Sequence, residues 1–124
     1  MNVIELAREF LKAQYPDLRY TDSDHTIVVP AQKPNGFDVT ISDELIVAYD
    51  CWHEHLDSTD QTLKCFAFGF STKCRLKVAY RGRFAYKWTV EALAKEGEWI
   101  EDSTTGLIFF PFWRKNRFVY LQNW

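Results

Sequence analysis

Two histidines, a thiol and three carboxylates stand close together in the run Asp50-Cys51-Trp52-His53-Glu54-His55-Leu56-Asp57. Side chains two apart on a strand share a face, so a strand running on from Leu45 would project Cys51, His53, His55 and Asp57 together. Such a set offers thiolate, imidazole and carboxylate donors of the kind that zinc accepts. The competing reading needs no metal: His53 and His55 lie near a sheet edge, bonded to Glu54, Asp57 or the backbone. In that reading Trp52, His53, Glu54 and His55 are free to meet a partner. A nucleophilic Cys51–His pair is weaker, because nothing in the sequence sets a helix N-terminus or cleft at Cys51 to lower its pKa.

The fragment His53-Glu54-His55-Leu56-Asp57 resembles the His-x-His-x-Asp start of the metallo-β-lactamase-type hydrolases. That pattern wants a histidine at the sixth position, where this chain has Ser58, and no histidine follows His55. The family is rejected on those grounds. His25, the third histidine, is remote in sequence and could approach only through the fold. Phosphate-binding glycine loops, GxSxG and HExxH are all missing from the sequence. A metal-dependent enzyme using His53, His55 and Asp57, with Cys51 as a further donor, is the alternative to a non-catalytic binder. No cofactor is expected.

The second cluster is cationic. Cys74, Leu76, Val78 and Tyr80 alternate with Arg75, Lys77, Ala79 and Arg81, Gly82 turns the chain, and Phe84, Tyr86, Trp88 and Val90 alternate with Ala85, Lys87 and Thr89. This is a hairpin with an aromatic inner face and a basic outer one. A nucleic-acid binder working through this 75–87 hairpin is the second alternative. The alternation sends Tyr80, Tyr86 and Trp88 away from the cations, and a pI near 5.9 argues against a dedicated nucleic-acid protein. The third cluster is the ring-rich stretch from Phe109 to Trp124, with Phe112, Trp113 and Arg114. It is core if buried. If exposed, Trp113 and Arg114 become partner contacts and the aromatic C-terminal strands a homodimer patch.

The elements that position these residues are legible to different degrees. Val3, Leu6, Ala7 and Phe10 recur at helical spacing and Pro16 stops the chain, predicting a helix over 2–15. Residues 25–29, 37–41 and 45–49 read as strands separated by turn residues. Ser58-Thr59-Asp60-Gln61 is a capping box that opens a helix expected from Thr59 to Thr72. Gly69 inside it suggests close packing against a sheet. After the 74–90 hairpin, Leu107–Phe110 and Phe118–Leu121 read as a final strand pair. The expected fold is α+β: a largely antiparallel sheet of about six to seven strands with two helices packed on one face.

A chain of 124 residues, 47% hydrophobic and 26% charged, suits one globular domain over 1–124. Net charge is −2, but residues 1–72 hold 12 acidic side chains against 5 basic, and residues 73–124 hold 5 against 10. The two ends of the chain thus present opposite charge to partners. Three cysteines without a CxxC spacing read as reduced thiols. Without a leader-like N-terminus or a long apolar run, the expectation is a cytoplasmic protein that does not enter a membrane.

Taken together, the Trp-His-x-His-Leu-Asp segment at Trp52–Asp57, the Cys-Arg-Leu-Lys-Val stretch at Cys74–Val78 and residues Phe110–Lys115 resemble small bacterial proteins found among the immunity proteins of polymorphic toxin systems, without defining one family. The resemblance implies a cytosolic protein that binds another protein, neutralising a toxin by covering it. An acidic first half would then complement a basic toxin surface.

Overall fold

The computed structural model describes residues 2–107 and 115–124. Helix α1 (Val3–Gln14) begins where Asn2 Oδ1 accepts the Glu5 amide at 2.9 Å, which satisfies one of the unpaired N–H groups of a first turn. It ends at Tyr15, just before Pro16. Its buried stripe is Val3, Ile4, Ala7 and Leu11.

Five strands follow as an antiparallel meander: β1 (Thr21–Asp22), β2 (Thr26–Val29), β3 (Val39–Ser42), β4 (Ile46–Tyr49) and β5 (Trp52–His55). Ile27, Val29, Val39, Ile41, Val47, Tyr49 and Trp52 are all buried and line its inner face. Helix α2 (Thr59–Phe68) then packs with α1 over this sheet, α1 meeting β2 and β3 while α2 meets β3 and β4. α2 is shorter than its sequence pattern suggests. Gly69 closes it, and the Ser71 and Phe70 amides bond back to Phe68 and Ala67 as the helix unwinds.

The remaining strands form a second antiparallel sheet: β6 (Cys74–Arg81), β7 (Phe84–Leu93), β8 (Trp99–Gly106) and β9 (Asn116–Leu121), in the order β8-β7-β6-β9. Three strands in sequence with the fourth returning beside the first is Greek-key order. Cys74, Leu76, Val78, Trp88 and Val90 line the inner face and share one core with the first sheet and both helices.

The architecture is α+β with antiparallel sheets, and the described residues form nine strands in two sheets rather than six to seven in one. The reason is polarity at the edges. β1 and β8 are edge strands with little to bury, so Trp-Ile-Glu-Asp-Ser-Thr-Thr-Gly shows no hydrophobic alternation. β9 stands at the far edge of the second sheet and pairs with β6. Leu107 lies just past β8, and residues 108–110 are outside the described residues. No helix among the described residues is long and apolar enough to cross a membrane.

Candidate binding face

The first cluster is dispersed by a turn. β4 does not continue through Cys51. Asp50 takes a φ of +56° and the chain reverses over Asp50-Cys51, pairing Tyr49 with Trp52. Asp tolerates this left-handed conformation better than most residues. The reversal sets Trp52 and Glu54 on the inner side of β5 and His53 and His55 on the outer side.

Trp52 is therefore buried in the core. It stacks on Tyr49 with ring centroids 4.7 Å apart, and its indole N–H donates to Ser103 Oγ at 3.0 Å. His53 and His55 are exposed, and Glu54 is half-buried. Cys51 lies in the turn, with its carbonyl 3.4 Å from His53 Nδ1. Asp57 is absorbed into the helix start. Its amide donates to Gln61 Oε1, and Ser58 Oγ accepts the Gln61 amide at 3.1 Å. The predicted capping box thus forms, shifted by one residue on its return arm.

Among the described residues no group of three or more His, Cys, Asp or Glu side chains is placed to hold a metal. His25 stands in the bend just before β2, where Nδ1 meets Asp43 Oδ2 at 2.5 Å. Partial burial, and then Asp50, push the Cys51 thiol above its usual range, the wrong direction for a nucleophile. Burial also raises the Asp50 carboxyl, with Asp38 adding to it. Trp113 and Arg114 lie outside the described residues.

What β5 does is join the sheets. Thr105 on β8 offers its hydroxyl to both backbone groups of His53, accepting from the amide and donating to the carbonyl, each at 3.2 Å. One side chain thereby pairs an otherwise bare edge residue.

The second cluster gains what the sequence withheld. Arg75 and Lys77 point to the outer face of the second sheet, which no described helix or strand covers. Rings from both edge strands lean over that face. The Arg75 guanidinium sits 4.2 Å from the Trp99 ring of β8 and 4.2 Å from the Tyr120 ring of β9. Its Nε donates to Glu91 Oε1 at 2.6 Å. Lys77 Nζ lies 4.4 Å over Phe118 and 3.5 Å from Glu101.

A bulge in β7 brings a further ring across. The register shifts between Ala79 and Tyr80, so Phe84 pairs with Arg81 and joins the outer face instead of the inner one. Tyr86, at the bulge, donates from its hydroxyl to Asn116 Oδ1 at 3.1 Å. Phe84, Phe118 and Tyr120 are each 44% exposed.

Sequence reasoning missed Trp99, Phe118 and Tyr120 as neighbours of the cations. Alternation along β6 and β7 was read correctly for Trp88, but it carries no signal about rings on β8 and β9. Comparison of the chain with protein-family models, with curated proteins and with solved structures finds no match in any of the three.

Proposed function

We propose that this chain is a non-catalytic binding domain that engages a protein partner through the outer face of its second sheet. The observation that carries the reading is Arg75, held between Trp99 and Tyr120 on a face that no described helix or strand covers. Trp, Tyr and Arg are the residues on which protein interfaces concentrate their energy. Here they are also ordered in advance. Glu91 fixes the guanidinium edge and the two rings fix its faces, so less side-chain freedom is lost on binding. Phe118 and Phe84 extend the apolar area on either side of Ala79 and Arg81. The likeness of Trp52–Asp57, Cys74–Val78 and Phe110–Lys115, taken together, to immunity proteins implies that the partner is a toxin and that binding neutralises it by covering it.

Cross-linking of the tagged protein in its own cells tests this. A stoichiometric partner should be captured by the native chain, lost from Phe118→Ala with Tyr120→Ala, and kept by His53→Ala with His55→Ala. The opposite pattern would move the interface to the β5 edge and overturn the assignment.

A further inference from the structure

The outer face is not uniform in charge. Its carboxylates, Glu91 and Glu101, stand at one end and are matched by Arg75 and Lys77. The other end has none. No Asp or Glu occurs in residues 61–90 or in residues 103–124. The tight turn at Gly82 brings Arg81 and Arg83 together. The start of β9 then docks beside that turn, the Gly82 amide donating to the Lys115 carbonyl at 3.2 Å and Arg117 Nε to the Gly82 carbonyl at 3.4 Å. Lys87 is one row away, paired with Ala79 across from Phe118. Arg83, Lys87 and Lys115 are exposed, and none takes part in an ion pair among the described residues. Arg117 pairs with Tyr80 and turns to the other side of the sheet, its guanidinium 4.4 Å from the Tyr80 ring. Two large rings, Phe84 and Phe118, lie within this cationic end.

We infer that this end of the face receives an acidic protein surface, with apolar side chains of the partner on Phe84 and Phe118 and carboxylates around them. The inference rests on the protein-binding reading and names the chemistry of the partner. It also reverses the sign expected from the acidic first half of the chain. The ring-bearing face belongs to the basic half, so its complement is negative. Charges at the edge of an interface steer encounter and select partners, while the buried rings hold the complex.

A single-stranded nucleic acid is the other polyanion with an affinity for rings and cations. Two features weigh against it. Two rings of the outer face already carry a cation on a face: Lys77 on Phe118 and Arg75 on Tyr120. In addition, a continuous phosphate backbone running along β6 would pass from the cationic end onto Glu91 and Glu101. Discrete carboxylates on a folded partner can match the cationic end and stop there.

The test is a fluorescence-anisotropy titration with two labelled probes. One is a peptide of alternating Asp, Glu and Phe, and the other a single-stranded oligothymidylate of matched charge. The native chain should bind the peptide at least about tenfold more tightly than the oligonucleotide. Arg83→Glu combined with Lys87→Glu and Lys115→Glu should weaken the peptide by about tenfold or more. All three positions are exposed, and an unchanged melting temperature would confirm that the fold survives.

Equal or tighter binding of the oligonucleotide would overturn the inference in favour of nucleic acid. Failure of the native chain to bind the peptide, or binding indifferent to the charge reversal, would also overturn it. If the cross-linked partner still depends on Phe118 and Tyr120 in that case, the protein-binding reading stands and the acidic complement alone falls.

Discussion

The Asn123 side chain pairs with both backbone groups of Phe37, accepting its amide on Oδ1 at 2.9 Å and donating from Nδ2 to its carbonyl at 2.9 Å. A side-chain amide thus does what a neighbouring strand would do for one residue. Oδ1 also accepts the Gln32 amide at 3.3 Å. Next to it, the Gln122 amide bonds the Asn35 carbonyl, and its side chain reaches the Thr72 carbonyl. The end of the chain is therefore the clasp between β9 and the loop that leads into β3. Asn123 is 3% exposed, so water offers its partners little replacement.

Asn123→Ala should cost about 3 kcal/mol of stability, because it leaves a buried N–H and a buried C=O of Phe37 unpaired at roughly 1–3 kcal/mol each. Urea unfolding of the variant beside the native chain measures this. A loss under about 0.5 kcal/mol, the ordinary scale of a neutral surface change, would show that the clasp contributes nothing. Gly36 belongs to the same device. A Cβ built there would come within 2.4 Å of Asn123 Oδ1, so glycine keeps the approach open.

Much of the first sheet was legible in the sequence because its strands bury one face and expose the other. Val39 and Ile41 against Thr40 and Ser42 show this directly. Gly69 was legible too. A Cβ there would lie 2.8 Å from the Tyr49 ring and 3.2 Å from Val39, which is the close packing that its place in a helix suggested. The turn at Asp50-Cys51 was not, since Asp and Cys are an ordinary pair within an apolar run. Missing that turn is what made Cys51, His53, His55 and Asp57 look like one constellation. The binding face was illegible for a different reason. Arg75 and the rings that hold it come from three strands, and β8 has a polar sequence that announces no strand at all.

His25 and Asp43 give the fold a pH-dependent contact. Hydrogen bonding to Asp43, and its charge, raise the imidazole above the ordinary histidine value. A raised folded-state pKa means that the contact stabilises fully below the unfolded value of about 6.5 and is lost as pH rises through the folded one. His25→Gln should therefore lower stability at pH 5.5 and leave it unchanged at pH 9. Thermal melts of the two proteins at both pH values check the sign. A larger difference at the alkaline end would show that the imidazole is not held as a cation.

The Arg75–Glu91 pair links stability to the proposed interface. The Glu91 side chain is 7% exposed and that of Arg75 22%, so the carboxylate has little access to water without its partner. Arg75→Ala should cost about 3 kcal/mol, the low end for breaking a buried pair, since Arg75 keeps some solvent. Arg75→Met with Glu91→Leu removes both charges and fills the space, so it should recover most of that stability. Partner capture should behave differently. The double variant restores the fold without restoring the cation between Trp99 and Tyr120, so it should remain weak in the cross-linking assay. Recovery of binding together with stability would mean that Arg75 serves the sheet alone and that the rings need no cation to hold them.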